Sequence, residues 1–344
     1  MCRIRGESLK VQCLQGLLLP VELIFYHWEG LFCQKKGDFL FGSGYDDEKQ
    51  NFIMEDPMTP YQIITDSCCD LPLQMRQQMH IHMVSLTLNF KDQQLPDSVS
   101  DDIKQLYDAL RAGAVASTSA VNPQAWRDAM EPVLQQGEDV LLLTFSSGLS
   151  TTYQSAVIAA QELAEEYPQR KIRVVDTKCA SLGQGLLAWY VCQKRDEGMD
   201  LDTLADWTEQ KKEKLCQWFT VDDLMYLKRG GRVSAATAIV GTMLGIKPVL
   251  HVDDEGKLIN VGKVRGRKAS IEALAEKMSQ LALPGENRKV FICHGDCLED
   301  AKKLEAILKE KCGIEEAFIG YTGAVIGSHS GPGTLALFFL GESR

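Results

Sequence analysis

From about residue 60 onward, hydrophobic positions follow two alternating patterns. The run at 139–145 is continuously apolar, which is typical of a strand buried on both faces. Residues 101–112 instead carry apolar side chains at the spacing of one helix face. The same patterns predict strands at 61–65, 83–90 and 172–175, and helices at 152–167 and 183–193. Strands and helices in this order predict a parallel sheet flanked by helices.

The pattern changes past about residue 215. Two apolar runs at 247–252 and 257–264 flank the sequence Asp-Asp-Glu-Gly at 253–256, which is typical of a hairpin turn. Helices at 270–281 and 298–311 and strands at 289–293 and 316–321 are predicted after it. We therefore expect an α/β fold in two domains, an N-terminal parallel-sheet α/β domain at 59–214 and a mixed α+β domain at 215–344.

The first 58 residues show neither the helical nor the strand period in their hydrophobic positions. They are rich in cysteine and aromatic residues, and the stretch 37–48 is a mixture of glycine, aromatic and acidic residues. Met54 and Met58 stand immediately before the first predicted strand. We therefore expect residues 1–58 to be a poorly ordered N-terminal extension of the functional protein.

The net charge of the chain restricts the kinds of partner that it can bind. The 344 residues include 37 Lys and Arg against 47 Asp and Glu, a net charge of -10. A chain of this charge is a poor match for a phosphate backbone, so we expect no nucleic-acid partner. The apolar stretch at 17–28 is interrupted by Pro20 and Glu22 and is too short to span a bilayer. We expect no stable membrane insertion, which leaves transient membrane contact open.

The cysteines indicate the cellular compartment. There are 11 of them, an odd number, and they are scattered without the spacing of a disulfide framework. Reduced thiols are the simpler interpretation, and they predict a cytoplasmic protein.

In three segments we expect hydroxyl side chains to lie in the loop between a strand and the start of a helix. They are Ser-Thr-Ser-Ala-Val-Asn-Pro at 117–123, Ser-Ser-Gly-Leu-Ser-Thr-Thr-Tyr at 146–153 and His-Ser-Gly-Pro-Gly-Thr at 329–334. Backbone N–H groups at a helix N-terminus attract anions, and hydroxyl groups add neutral donors. The alternative for each segment is that the hydroxyl groups only cap a helix.

The hydrogen-bond donors in these three segments restrict the kind of anion that could bind there. Hydroxyl groups with at most one imidazole suit a carboxylate better than a polyphosphate, which would call for a P-loop and a metal site. No Walker sequence is present. The many Leu, Val, Ile and Met residues near these segments predict that the rest of the ligand is apolar.

Several motifs occur in a familiar order from about residue 60 to 340. They are Ile-Thr-Asp-Ser-Cys-Cys-Asp-Leu-Pro at 64–72, Thr118-Ser119 with Pro123, the 146–156 segment, Val-Asp-Thr at 175–177, Leu-Lys-Arg-Gly-Gly-Arg-Val-Ser at 227–234, Lys247-Pro248 and His-Ser-Gly-Pro-Gly at 329–333. Taken together, these motifs make the chain resemble the DegV family of fatty-acid-binding proteins.

The resemblance implies that a long-chain fatty acid such as palmitate lies between the two domains. It implies that Thr118 and Ser150 are the main carboxylate ligands, with Ser119, Ser147 and His329 close by. It also implies a bacterial carrier that is not itself an enzyme and needs no cofactor or metal. Such a carrier offers the carboxylate to a separate ATP-dependent fatty acid kinase subunit, which makes acyl phosphate.

One position departs from the family pattern. Thr151 stands where the family usually has glycine. If that backbone needed a positive φ, a β-branched residue there would strain the loop around Ser150.

A group of basic residues stands out on this acidic chain. It comprises Lys228, Arg229, Arg232, Arg265 and Arg267. The group is either a solvated face or a docking patch for the kinase partner, with electrostatics steering the encounter.

A serine hydrolase is the alternative function. Ser147 or Ser150, Asp176 and His329 occur in the order nucleophile, acid, histidine, although no Gly-x-Ser-x-Gly elbow is present. Two weaker signals favour structural roles. The glycines at 183 and 185 come too late after a strand for a dinucleotide fingerprint and favour close helix packing. The Cys293–Cys297 segment has no second ligand pair at zinc-site spacing.

Overall fold

The computed structural model describes residues 60–97, 103–234 and 245–344. The prediction for residues 1–58 therefore lies outside the described residues. The strands are β1 Tyr61–Asp66, β2 Ile81–Val84, β3 Thr87–Phe90, β4 Gln93–Pro96, β5 Ser117–Ser119, β6 Asp139–Thr144, β7 Ile172–Asp176, β8 Leu215–Thr220, β9 Ile246–Val252, β10 Leu258–Arg265, β11 Lys289–His294, β12 Glu316–Tyr321 and β13 Leu335–Leu340. The helices are α1 Leu73–Gln78, α2 Ile103–Arg111, α3 Pro123–Gln135, α4 Thr152–Glu166, α5 Leu182–Asp196, α6 Leu201–Lys212, α7 Met225–Arg229, α8 Arg267–Leu281, α9 Leu298–Cys312 and α10 Ala324–Ser330, and a 3-10 turn covers Ser67–Cys69.

The first sheet is parallel, as the sequence predicts. Its four strands lie in the order β2-β1-β6-β7, and β6 is buried along its whole length. The chain leaves β1 toward β2 on one side and returns to β6 on the other side. Open parallel sheets bind ligands where such a reversal leaves a crevice at the carboxyl ends of the strands. The segments 66–70, 145–151 and 176–181 all leave the sheet at this edge.

The predicted strand at 83–90 is wrong as a single element. It is two strands, β2 and β3, which belong to different sheets. The break lies at Ser85 and Leu86. There the Leu86 N–H donates to Ser67 Oγ at 3.0 Å, and Ser85 Oγ donates to the Leu86 carbonyl at 2.8 Å. These bonds take the place of sheet pairing, so the chain turns away into the antiparallel sheet β4-β3-β5.

The second sheet is mixed and has six strands in the order β10-β9-β8-β13-β11-β12. All neighbouring strands are antiparallel except β11 and β12, which are parallel. Helices α8 and α9 pack on one face of this sheet, around Trp218 and Leu337. The opposite face, which includes Phe219 and Phe338, packs toward α5 and the first sheet. The expected parallel-sheet half followed by a mixed half is thus confirmed.

Helix α5 lies between the two large sheets. It contacts β6 of the first sheet and β8, β11 and β13 of the second. A helix in this position must bury residues all round. A Cβ on Gly185 would lie 2.7 Å from the Cys69 carbonyl oxygen, and one on Gly183 would lie 2.8 Å from Phe338 Cδ1. The two glycines therefore serve close packing.

The third hydroxyl segment, 329–334, does not begin a helix, so that prediction is wrong. It follows the seven-residue helix α10 and leads into β13. Gly331 and Gly333 have φ values of 80° and 78°, which glycine adopts without strain, and Pro332 stands between them. His329 therefore lies in the last turn of a helix.

The predicted boundary between 214 and 215 falls just before β8, and the described residues, from 60 onward, all belong to one compact unit. The first sheet comes from residues 61–176 and the second from 215–340. No helix within the described ranges has both the length and the apolar character needed to cross a bilayer.

Candidate carboxylate-binding pocket

A cavity of about 470 Å³ lies between the carboxyl edge of the first sheet and the inner face of the second. Its volume falls in the range of roughly 300–1,000 Å³ that small-molecule sites occupy. Most of the wall is apolar and comes from both sheets and the short helices: Leu86, Phe145, Leu149, Phe219, Leu227, Val252, Leu258, Val325, Ile326, Ala336 and Phe338.

Thr118 and His329 meet at the wall of this cavity. Thr118 Oγ1 and His329 Nε2 are 2.8 Å apart. Thr118 is held by β5, where it pairs with Leu88 of β3, and His329 is held by α10. Burial, together with the nearby Arg232 charge, lowers the pKa of His329 to about 4. The imidazole is therefore neutral at pH 7 and pairs with the hydroxyl group.

Ser147 and Ser150 line the same cavity. Ser150 Oγ accepts a hydrogen bond from the Thr152 N–H, the first N–H of α4, at 3.2 Å, so this side chain satisfies a helix donor as well as facing the pocket. Ser147 Oγ accepts from Lys178 Nζ at 3.1 Å. Thr151 has φ -80°, so the β-branched residue causes no strain at the position where the family usually has glycine.

Ser119 is placed differently. It follows Thr118 in β5, where successive side chains point to opposite faces. It is exposed, its Oγ accepts from Asn89 Nδ2 at 3.2 Å, and it does not line the cavity. The structure therefore brings Thr118, Ser147, Ser150 and His329 together but not Ser119.

The predicted docking residues are divided by the structure. Arg229 is exposed and stacks on the Tyr226 ring at 4.5 Å, and Arg265 is exposed on β10. Lys228 is half-buried. Arg267 pairs with Asp300 at 2.9 Å, which ties α8 to α9. Arg229 and Arg265 are thus the open surface charges of the group.

Arg232 turns inward and lines the cavity beside His329. Its Nε donates to the Leu149 carbonyl at 3.2 Å, and its Nη1 donates to the Gly230 carbonyl. Burial lowers its pKa, yet a guanidinium stays charged at neutral pH. Sequence reasoning missed this role, because a basic run on an acidic chain resembles a surface feature. The lining of the pocket thus includes one guanidinium, beside His329.

A second cavity of about 280 Å³ adjoins the first on the outer side. Thr118, Arg232 and His329 line both cavities. The outer cavity is also bordered by Arg229 and by Val115, which is 67% exposed. A polar group bound at Thr118 is thus adjacent to a groove bordered by surface residues.

Two buried aspartates fix the backbone of the pocket segments. Asp66 accepts from the Phe145 N–H at 2.6 Å and from the Cys68 N–H at 3.1 Å. Its complete burial raises its pKa to about 7, although these hydrogen bonds oppose the rise. Asp97 accepts from the Val325 N–H at 2.9 Å, and burial raises its pKa to about 6. Asp66 thus holds the 145–150 segment, and Asp97 holds the start of α10.

A third buried aspartate, Asp70, accepts a hydrogen bond from Ser181 Oγ. Burial, and the proximity of Asp97, raise the pKa of Asp70 well above its usual value. Ser181 has φ 54° and ψ -144°, a conformation that non-glycine residues rarely adopt, and it lines the cavity. The contact with Asp70 holds this strained residue in place.

Ser330 is a further pocket residue that sequence reasoning missed as a ligand. It follows His329, is 5% exposed and lines the cavity. Its Oγ has no hydrogen-bond partner within the described part of the chain. A buried hydroxyl group without a partner is costly, so it is available to a ligand or to water.

The geometry does not assemble a hydrolase triad. The Asp176 carboxylate accepts from the Ser147 N–H at 3.1 Å and pairs with Lys178 Nζ at 3.1 Å. Burial raises the pKa of Asp176, but these hydrogen bonds outweigh burial and lower it overall. His329 pairs with Thr118 instead, so the orienting carboxylate that a triad needs is not beside the imidazole.

Comparison with known proteins defines the class to which this fold and pocket belong. The family model described as "uncharacterised protein, DegV family" matches residues 60–342. A DegV domain-containing protein of Clostridium perfringens is 43% identical over 289 residues, which are 83% of this chain and 99% of the relative. The chain therefore belongs to the DegV family.

Solved structures of the family share the fold. A fatty-acid-binding DegV family protein from Thermus thermophilus is 31% identical, with a TM-score of 0.73 over 82% of this chain and 99% of that one. A Thermotoga maritima protein reported to have fatty acid binding function is 29% identical, with a TM-score of 0.72 over 82% and 99% of the two chains. The expected family resemblance is confirmed.

The environment of His329 gives a testable prediction. In the ligand-free protein its imidazole should titrate near pH 4, because burial and the Arg232 charge both disfavour the protonated form. The folded protein then binds fewer protons than the unfolded chain between about pH 4 and the ordinary value near ~6.5, so this contribution to stability is lost as pH falls through that window. NMR titration of the imidazole resonances, with His329→Gln for assignment, measures the midpoint. A midpoint at or above the ordinary value would contradict the buried placement.

Proposed function

We propose that this protein binds a long-chain fatty acid non-covalently in the cavity between the two sheets. The observation that carries the proposal is a mostly apolar cavity with hydroxyl groups, a neutral imidazole and one guanidinium converging on its wall. In this proposal Thr118 and Ser150 donate to the carboxylate, and Ser147, Ser330, His329 and Arg232 complete its surroundings. The fatty acid binding reported for the Thermus and Thermotoga relatives supports it.

The tail supplies most of the affinity. Burying the methylene groups of a C16 chain contributes on the order of 10 kcal/mol before ordering costs, at ~0.8 kcal/mol per CH₂. A hydrogen bond to a charged group contributes less, about 1.5–3 kcal/mol. The polar residues therefore mainly determine where the carboxylate lies.

We further propose that the protein is a carrier that presents the carboxylate to a separate ATP-dependent kinase subunit, and that it works in the cytoplasm. The outer cavity supports presentation of the carboxylate, because three of the proposed head-group residues, Thr118, Arg232 and His329, line both cavities. Arg229, at its border, and Arg265 are the docking residues. The eight described cysteines are all free thiols, in keeping with a reducing compartment. The two sheets then correspond to the two proposed domains, 59–214 and 215–344.

Replacing Thr118 with Val tests the head-group assignment. The variant keeps the shape of the side chain and loses the hydroxyl group, so the Kd for palmitate should rise roughly 10–100-fold. The Kd for hexadecanol should change less, because its head group is uncharged and depends less on a hydrogen-bond donor. Isothermal titration with delipidated protein measures both.

Ser119→Ala is the matched control, because the neighbouring side chain faces away from the cavity. Its affinity for palmitate should equal that of the wild type. Equal weakening by the two substitutions would contradict the placement of the carboxylate. Complete loss of lipid from Thr118→Val in native mass spectrometry would contradict the dominance of the tail.

Charge reversal at Arg229 tests the docking proposal. Arg229→Glu should leave the Kd for palmitate within about twofold and reduce acyl-phosphate formation by a purified bacterial fatty acid kinase subunit at least tenfold, since opposite charges steer the encounter. Lys309→Glu on α9, which also reverses one surface charge, should affect neither. Arg232 is left intact because it lines the cavity. A parallel loss of lipid binding and acyl phosphate in Arg229→Glu would defeat the docking role.

A further inference from the structure

One hydroxyl group in the cavity is not explained by carboxylate binding. Thr322 is fully buried and lines the cavity. Its side chain lies beside the Cys293 thiol, which is a weak hydrogen-bond partner. Its Oγ1 has no stronger partner among the described residues. Three other buried or half-buried polar side chains on this side of the wall have partners: Ser181 bonds to Asp70, Gln217 to the 178–180 backbone and Thr334 to the Gly331 carbonyl.

Thr322 is separated from the proposed carboxylate site. Helix α10 lies between Thr322 and His329, and the rise of seven helical residues places their backbones about 10 Å apart along the helix axis. An extended acyl chain spans that distance in roughly eight bonds, given C–C bonds near ~1.5 Å. A ligand whose carboxylate lies at Thr118 and His329 would therefore reach Thr322 with the middle of its chain.

The position of Thr322 is fixed by backbone contacts. Its N–H donates to the His294 carbonyl at 2.9 Å, and its carbonyl accepts from Tyr107 Oη at 2.8 Å. These bonds fix the backbone, so the hydroxyl group can reach only partners within rotation about its own Cα–Cβ bond. Leaving a hydroxyl group buried and unpaired costs about 1–3 kcal/mol.

The surroundings of Thr322 select a neutral partner. Asp70 packs against the adjoining Gly323 and bonds to Ser181, and Ser181 Oγ lies 3.2 Å from Cys293 Sγ. No cationic side chain forms an ion pair with Asp70 among the described residues, and the Cys293 thiol is protonated because burial raises its pKa to about 12. An anion would meet the partial negative charges of these groups. A hydroxyl group, which both donates and accepts, fits them.

We propose that the cavity binds fatty acids that carry a hydroxyl group in the middle of the chain, and that Thr322 is the residue that selects them. The proposal rests on the proposed function and names its ligand class. The ligand hydroxyl exchanges a hydrogen bond with Thr322 Oγ1 while the carboxylate remains at Thr118. A plain acyl chain leaves Thr322 with only the weak contact to the Cys293 thiol, and this difference is the basis of selection.

The test compares octadecanoic acid with a mid-chain hydroxyoctadecanoic acid on delipidated full-length protein. One hydrogen bond is worth roughly three- to tenfold in affinity, so the wild type should bind the hydroxylated acid tighter by that factor. Thr322→Val should abolish the preference with little change in the Kd for octadecanoic acid. Thr322→Ser, which retains the hydroxyl group, should keep it. Thr118→Val should weaken both acids equally, which separates the two sites.

Three results would overturn the inference. The wild type could bind the two acids equally, as expected if water satisfies Thr322. Thr322→Val could weaken both acids equally, as expected of a head-group ligand. An acid with the hydroxyl group near the methyl end could bind as tightly as the mid-chain isomer, which would remove the positional argument. Failure of both acids to bind would instead contradict the proposed function. Thermal unfolding of each variant confirms that the affinities refer to folded protein.

Discussion

An ionised carboxyl group attached to a long hydrocarbon chain imposes two opposite demands on one cavity. The charge must keep hydrogen-bond donors, because an unpaired buried charge is prohibitive, and the chain must be removed from water. In the site proposed for this protein the donors come from three separate segments around Thr118, Ser150 and His329, with the Arg232 guanidinium nearby. The apolar wall comes from both sheets. Neither sheet alone provides both halves of the site.

The backbone segments that carry these donors are held in place by carboxyl groups buried behind them. Asp66 spans the reversal point of the parallel sheet, because it lies at the end of β1 and accepts from the backbone that follows β6. Asp97 accepts from the backbone at the start of α10, the helix that carries His329. These carboxyl groups do not line the cavity, but they hold the backbone whose side chains do. A hydroxyl side chain is short, so its position follows its backbone closely.

Much of the fold was readable because long elements leave strong patterns. The buried run of β6 and the helix α4 lie where the apolar positions place them, and the hairpin of β9 and β10 has its turn at 253–256. The break between β2 and β3 was not readable, because it depends on a bond from Ser67 that is distant in sequence. Helix α10 has only seven residues, too few to show a helical period in the hydrophobic pattern. Its last two residues, His329 and Ser330, begin a segment rich in Gly and Pro that resembles a loop.

The residues of the pocket could be predicted only in part, because motifs identify residues but not the packing that turns a side chain toward the cavity. The motifs around Thr118, Ser150 and His329 predicted residues that do line one cavity. The segment containing Ser117–Ser119 was expected as a loop, in which neighbouring side chains are free to share a target, whereas a strand sends Ser119 to the opposite face. The inward turn of Arg232 and the unpaired hydroxyl groups of Ser330 and Thr322 depend on packing that no local pattern records.

The central claim concerns where a bound carboxylate lies. A crystal structure of the purified protein with palmitate tests it most directly. We expect elongated density through the cavity, with a carboxylate oxygen within hydrogen-bond distance of Thr118 Oγ1 and the chain running between the two sheets. Density that places the carboxylate elsewhere, or a cavity that stays empty at saturating palmitate, would contradict the account.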